Sequence, residues 1–455
     1  MTPNFSLIQK YNKPGPRYTS YPTAVQFQEI GETHAIEVEL KERWKSPKAL
    51  SLYFHIPFCF SLCWYCGCTK IITKDKDRGD IYLDYLEKEM DLIRPLLNTD
   101  SPVIQVHFGG GTPTFLRPDQ LYRLGRAIHS RFILSDDVEF SVEIDPRTCS
   151  EEQIEALSEM GCNRASLGIQ DTSPQVQKAV HRIQPYEQVV EVIQNLRRHG
   201  IQAINFDLIY GLPRQTPDSF RKTIEDVTVL DPNRFAVYSY AHIPSLMPAQ
   251  KLLKEEEFPS TADKLKMLGY VVETLPQQGY TFIGMDHFAK EDDELSLALQ
   301  NGTLQRNFQG YSTRADADMI AFGMSGISQA GSVYFQNTKD LGNYYRYLDR
   351  GRLPIVKQLF LSREDEVRRD LIMKIMCQTE LNFESFSAKW KIDFETDYRE
   401  ELNRLAELEA DGLVVRTKEK LMPTEKGRLF LRNIAMVFDA YLKKPEHEAR
   451  YSKTV

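Results

Sequence analysis

The chain has 455 residues, of which 42% are hydrophobic and 11% aromatic; it is too long for one ordinary domain and too rich in core-forming residues for a disordered chain. Fifty-seven basic against sixty-four acidic residues leave a net charge of −7, which argues against broad nucleic-acid binding, because that needs a basic face. No run is long and apolar enough to cross a bilayer, and the polar start "MTPNFSLIQKYNK" lacks a secretory apolar stretch, so a cytoplasmic protein with no membrane attachment is expected.

Residues 1–35, with "YNKPGPRYTSYPTA", show no hydrophobic period and read as an extended arm. Short β-rich runs then alternate with amphipathic stretches. The runs are "LSLYFHI", "VIQVHFGG", "EFSVEID", "RASLGIQ", "AINFDLIYG" and "RFAVYSYA"; between them lie stretches such as "YLDYLEKEMDLIRPLL", "YEQVVEVIQNLRRHG" and "SFRKTIEDVTVL". Six strand and helix alternations require a parallel sheet, because parallel neighbours need crossover helices. The fold class is therefore α/β, and a curled barrel over residues 36–285 is expected in preference to an open doubly wound sheet. Residues 286–359 read as a connecting segment that contributes to the substrate site. From about residue 360 the alternation stops. "SREDEVRRDLIMKIMCQ" and "YREELNRLAELEADG" read as helices, "LVVRTKEKLMPT" as a hairpin and "EKGRLFLRNIAMVFDAYLKK" as a final helix. This order predicts a mainly helical, winged-helix-like domain over 360–455.

Directly after the first run, "HIPFCFSLCWYCGCTK" carries four of the seven cysteines. Cys59, Cys63 and Cys66 have C-x3-C-x2-C spacing, and Cys68 follows. An odd total, clustered in this way, is not a disulfide framework and points to metal or redox chemistry in a reducing compartment. Soft thiolates select zinc, copper or iron–sulfur clusters. A structural zinc site wants four ligands, commonly two pairs from separate parts of the chain, and no second pair is visible. A cubane cluster normally takes four thiolates, so three would leave one iron open. Cys149, Cys162 and Cys377 are isolated and read as buried small residues.

"GGGTPT", Gly109 to Thr114, closes the second run. Glycines let the backbone approach a ligand closely, although the same stretch also suits an ordinary tight turn and lacks P-loop spacing. Glu143, Gln170 and Asp207 stand where successive strands hand over to loops. That end of an α/β barrel carries the active site, and Tyr53, His55, Ala241 and His242 are expected at the same rim. Each alone suits a capping or hydrogen-bonded core group; their convergence favours a site.

The triad after a first barrel strand, together with "GGGTPT", resembles the radical S-adenosylmethionine (SAM) enzymes. In that family SAM chelates the open iron of a [4Fe-4S] cluster and is cleaved to a 5′-deoxyadenosyl radical. "PGPRYTSYPTA", "HFGGGTPT", "DLIYGLPRQT", "YAHIP", "GMDHFA" and "NFQGYST" extend the resemblance over essentially the whole chain, to the oxygen-independent coproporphyrinogen III oxidases. It implies a partial (β/α)6 barrel and conversion of the ring A and B propionates of coproporphyrinogen III to vinyl groups, giving protoporphyrinogen IX. It implies that Cys59, Cys63 and Cys66 hold the cluster and that Tyr53, Gly110, Glu143, Ala241 and Ile327 line the SAM on it. Tyr65, Gly111, Thr112, Gln170, Arg182 and Asp207 match the contacts of a second SAM. Cys68, which is not expected to be a ligand, and His55 and Gln309 are candidates for catalysis near substrate. Thr69 departs from the family's "GCNK".

The resemblance further implies a monomer fed by a flavodoxin-type electron donor. A radical must be shielded, so the 1–35 arm is expected to act as a lid. Four substrate carboxylates call for cations, with Arg17, Arg306 and Arg314 as candidates. Two rivals stand beside this reading. A haem-binding paralogue group keeps the triad without the decarboxylation, usually with an aromatic residue where Cys68 stands. A DNA-binding regulator with a zinc loop would use the winged-helix-like tail.

Overall fold

A computed structural model describes residues 5–314, 317–443 and 451–454. Residues 1–4 of the predicted arm, 315–316 of the connecting segment, and 444–450 and 455 at the C-terminal end lie outside the described residues. The six expected runs form parallel strands: β1 (Leu50–Ile56), β2 (Pro102–Gly110), β3 (Ile133–Ile144), β4 (Arg164–Gln170), β5 (Ala203–Tyr210) and β6 (Arg234–Ser239). They lie side by side in sequence order. Each right-handed crossover therefore puts its helix on the same face, with no switch point of the doubly wound kind.

The period-2 pattern of these strands builds the site. Along β4, Ala165, Leu167 and Ile169 are buried while Arg164, Ser166, Gly168 and Gln170 are half-buried; β5 alternates Ile204, Phe206 and Leu208 with Asn205, Asp207 and Ile209 in the same way. Successive side chains point to opposite faces. The apolar set packs into the core that also takes Leu83, Leu86, Val192, Leu196, Phe220 and Ile224 from the crossover helices. Polar side chains are left facing the barrel interior.

The sheet extends well past residue 285. Asp318–Phe322 pairs parallel to β1, and Ile327–Ala330, Val333–Asn337 and Ile355–Phe360 follow antiparallel, ending at Gln28–Glu29. On the other edge, His287–Lys290 and Tyr280–Gly284 add antiparallel to β6. The segment read as a connector thus supplies strands to one 13-stranded sheet. Runs such as "DMIAF" and "VYFQN" are buried along their whole length, so they lack the alternation that flags a half-buried strand.

Beyond residue 360, helix Arg363–Cys377 leads to a three-stranded sheet in which Lys420–Pro423 lies between Leu381–Asn382 and Val414–Arg416. The helix expected over 425–444 is not continuous. It is a 3-10 turn at Gly427–Phe430, an α-helix at Leu431–Met436 and another 3-10 turn at Tyr441–Lys443. At the break, the Ala440 N–H donates to Tyr21 Oη (3.1 Å) and the Tyr441 N–H to Asp439 Oδ1 (2.8 Å), so tertiary partners take the bonds a helix would have used. The arm also departs from a purely extended reading. Phe5–Tyr11 is helical and buries Leu7, Ile8 and Tyr11 in the C-terminal core, where Tyr18 and Tyr21 join them. Among the described residues no helix is long and apolar enough to cross a membrane.

Candidate active site

The cysteine loop leaves β1 through Phe58–Cys59, which pairs with Ile71–Ile72. Two bonds pin its middle to the turn after residue 176: the Trp64 N–H donates to the Val180 carbonyl (3.1 Å), and the Leu62 carbonyl meets His181 Nδ1 (2.9 Å). Gln250, buried and distant in sequence, donates to the carbonyls of Tyr65 (3.2 Å) and Ala241 (3.1 Å) and accepts from the Ile243 N–H (2.6 Å). It ties the loop to the chain leaving β6. No sequence signal marked it.

The glycine run is required by close approach. A Cβ on Gly111 would stand 2.6 Å from the Pro57 carbonyl carbon and oxygen; one on Gly110, where φ is +110°, would stand 2.6 Å from the His55 ring. Only glycine brings the end of β2 this close to the loop. The Gly111 N–H donates to the Ile56 carbonyl (2.8 Å), and Thr112 Oγ1 donates to Cys59 Sγ (3.3 Å).

These elements enclose a cavity of about 520 Å3. Cys59, Cys63, Cys66 and Cys68 line it, with Tyr65, Gly110, Gly111, Thr112, Glu143, Gln170, Arg182, Asp207 and Ala241. Tyr53, His55, Gln309 and Ile327 are not in this lining. Tyr53 and His55 lie beneath it, joined by Tyr53 Oη to His55 Nδ1 (3.2 Å). His55 Nε2 meets the Thr69 carbonyl at 2.9 Å, a backbone contact that is indifferent to the Thr69 side chain. Ile327 opens a strand four residues past Gly323, whose own Cβ would meet the His55 carbonyl at 2.7 Å. Gln309 sits in the turn of the hairpin Gln305–Asn307 and Gly310–Ser312, with Nε2 buried and unpartnered. His242 turns away from the cysteine loop: its Nδ1 meets Tyr240 Oη (3.0 Å), and it lines a neighbouring cavity. Of the outlying cysteines, Cys162 and Cys377 are buried as expected, whereas Cys149 is half-buried.

Charge is arranged unevenly around the thiols. Asp145 is shared by two guanidiniums, Arg147 (2.6 Å) and Arg182 (3.1 Å), and both also reach Cys63 Sγ, at 3.4 and 3.6 Å. Two cations against one carboxylate leave positive charge facing the Cys63 sulfur. Asp145 and Arg147 were not singled out from the sequence; their signal was adjacency to Glu143 in "EIDPR". Burial pushes Cys59 up to about 11 against the Thr112 bond. At Cys66 the hydrogen bond from Cys68 outweighs burial and, with the Lys70 charge, brings it down to about 6.

Across the cavity, Glu143 accepts from the Gly110 N–H (3.2 Å) and lies 3.5 Å from His107 Nε2. Burial pushes its pKa up, but His107 and the Gly110 N–H outweigh it and hold it below the usual range. Asp207 accepts from Ser166 Oγ (2.9 Å) and Asn205 Nδ2 (3.0 Å). There burial wins, helped by the Glu143 charge, and the carboxyl is pushed up to about 6.

This donor set fits an iron–sulfur cluster: the three soft sulfur donors stand around one loop and open on one shared cavity. Thiolates so placed suit a multi-iron group, with Thr112, Arg147 and Arg182 donating to the sulfurs.

Comparison with known proteins agrees with this geometry. The Radical SAM superfamily model matches residues 53–227, and the HemN C-terminal domain model matches 361–430. The oxygen-independent coproporphyrinogen III oxidase of Pseudomonas aeruginosa is 44% identical over 99% of this chain and 98% of its own length. That of Helicobacter pylori is 43% identical over the full length of both. The solved structure of coproporphyrinogen III oxidase (HemN) from Escherichia coli, a radical SAM enzyme, superposes with a TM-score of 0.92 at 41% identity, covering 96% of this chain and 99% of that one. With alignments of this identity spanning nearly the whole chain, the chain belongs to the oxygen-independent coproporphyrinogen III oxidases of the radical SAM superfamily.

Proposed function

We propose that the chain decarboxylates the ring A and B propionates of coproporphyrinogen III to vinyl groups, yielding protoporphyrinogen IX, and that Cys59, Cys63 and Cys66 are the residues that hold its [4Fe-4S] cluster. The observation that carries this is the single cavity onto which the three thiols open together with Glu143, Gln170, Arg182 and Asp207. When bound, the cluster and SAM supply a deoxyadenosyl radical able to take hydrogen from the propionate β-carbon. The chain's own groups do the rest by placement. The Gly110–Gly111 backbone admits a ligand against the loop, and the ionised Glu143 offers a carboxylate to an ammonium group. Arg182, held by Asp145 and by the Gly168 carbonyl at 2.6 Å, turns a fixed cation toward a carboxylate.

Two SAM molecules bind in this reading. Its support is the breadth of the lining, which runs from Gly110, Gly111, Thr112 and Glu143 at the ends of β2 and β3, past Tyr65 in the loop, to Gln170, Arg182 and Asp207 beside β4 and β5. Tyr53 and Ile327 act from behind the Gly110 and Glu143 end. Cys68, exposed to the cavity, and His55 and Gln309 serve the substrate step. The arm, anchored by Tyr18 and Tyr21, is the lid; a flavodoxin-type protein delivers the electron, and the enzyme works as a cytoplasmic monomer without nucleic acid. The haem-binding alternative is disfavoured by Cys68 and by relatives that are named oxidases.

The test is anaerobic reconstitution with iron and sulfide, followed by dithionite, SAM and coproporphyrinogen III, with Cys63→Ser as control. Deoxyadenosine and protoporphyrinogen form together in the native protein and neither forms in the control. Deoxyadenosine without decarboxylated porphyrin would move the substrate elsewhere.

A further inference from the structure

A second cavity, of about 580 Å3, adjoins the first. Ser239, Tyr240, Ala241 and Ile243, at and beyond the end of β6, line both. The second is walled by the arm, the barrel rim, the C-terminal domain and the tail at 451–454, and its surface includes Phe258, Leu265, Leu268, Leu429 and Leu431. A largely apolar space sharing a wall with the reaction cavity suits the body of a tetrapyrrole.

Its charge is one-sided. Among the described residues, Arg17, Lys264, Arg432 and Lys453 line it against one carboxylate, that of Asp286. Arg17 pairs with that carboxylate, and Arg432 is spent on the carbonyls of Pro16 (2.8 Å) and Lys453 (2.9 Å). Among the described residues, Lys264 and Lys453 have no carboxylate partner. Lys264 Nζ reaches only the Tyr240 carbonyl, at 3.4 Å, and its aliphatic stem lies against Gly211, whose Cβ would meet Lys264 Cε at 2.6 Å. Burial lowers its affinity for a proton, and the Lys453 charge lowers it further. The Lys264 ammonium, half-buried on a cavity wall that the exposed Lys453 also lines, gains from an anion placed between the two side chains.

Resting on the function proposed above, we infer that Lys264 and Lys453 bind a propionate that the reaction leaves intact, holding the macrocycle in the second cavity while a reacting propionate reaches past Ser239 and Ala241 into the first. The chain segments involved, α-helix Thr261–Gln277 and the C-terminal tail, lie outside every cysteine and glycine motif. Lys264 is thus a positioning residue that fixes which edge of the substrate meets the radical.

The test uses reconstituted full-length enzyme. Lys264→Met raises KM for coproporphyrinogen III roughly tenfold while kcat stays within about twofold, because a charge-assisted contact common to ground and transition states is lost. Lys264→Arg restores KM, and the more exposed Lys453→Met raises it by about threefold. Fluorescence titration with the oxidised porphyrins reads the same contact without turnover. Because protoporphyrin IX keeps only the unreacted propionates, its affinity falls with Lys264→Met as much as that of coproporphyrin III. An equal KM in native and variant enzymes, a loss confined to kcat, or an affinity loss for coproporphyrin III alone would each overturn the inference. Should Lys264→Met fail to take up its cluster, Lys453→Met decides by the same criteria. A native enzyme that cleaves SAM and binds both porphyrins but forms no vinyl group would sink the proposed function, while the lysine contact would still be read from the two affinities.

Discussion

The two adjoining cavities are built in opposite ways. The cysteine-side cavity comes from the ends of consecutive parallel strands plus one loop, and its charges are largely answered inside it: Asp145 by Arg147 and Arg182, Glu143 by His107 and the Gly110 N–H. The second cavity is assembled from the arm, the rim, helix Thr261–Gln277, the C-terminal domain and the tail, and among the described residues two of its cations, Lys264 and Lys453, have no carboxylate partner. A loop that holds a resident cluster can be made rigid and internally balanced. A site for an anionic substrate that must come and go gains from a charge deficit that only the substrate fills.

The contrast can be broken most severely at the thiols. Cys63→Ser should reduce iron content and abolish deoxyadenosine formation to background, read by iron assay and chromatography, while porphyrin affinity in the second cavity is kept. Next comes Glu143→Gln, which removes a carboxylate already oriented by the Gly110 N–H; SAM affinity should fall by roughly 10- to 100-fold, the value of one charge-assisted bond, measured by equilibrium binding. Gly111→Ala drives a Cβ against backbone at Pro57 and should cost about 1–3 kcal/mol of stability in denaturant unfolding.

A pH experiment sharpens the comparison further. The folded Asp207 carboxyl sits at about 6, above its ordinary 3.8. A raised acid binds its proton more tightly when folded, so its contribution is most favourable below pH 4 and is lost as pH rises from 4 to 6, reaching a cost of about 2–3 kcal/mol at pH 7. Asp207→Asn should therefore raise the Tm of the apo protein at pH 7–8 and leave it unchanged near pH 4; a Tm difference independent of pH would refute this origin. The smallest effect is expected in the arm. Tyr18 Oη donates to Asp439 at 2.9 Å, and Tyr18→Phe should loosen the arm by about 1 kcal/mol, seen as faster limited proteolysis at the N-terminus with SAM cleavage unaltered.

Recognition from sequence worked where the chemistry is local. The triad, "GGGTPT" and the six alternations lie in contiguous stretches, and Gln170 and Asp207 are read where their own strands hand over to loops; the structure has them on the half-buried, cavity-lining set. It failed where partners are distant. Gln250 reaches Tyr65, 185 residues away, while also holding Ala241, and Asp145 and Arg147 gained their meaning only when Arg182 came alongside. The helix expected over 425–444 broke because Tyr21 and Asp439 offered its N–H groups other bonds.

By itself, then, the sequence determined the parallel core, the cysteine loop and the polar lining, because period-2 alternation and short ligand spacing are properties of neighbouring residues. Tertiary structure alone decided the rest. It joined residues 318–360 to the barrel sheet, docked the arm helix on the C-terminal core and brought Lys264 beside Lys453, because burial, strand pairing and charge balance depend on segments that meet only when the chain has folded.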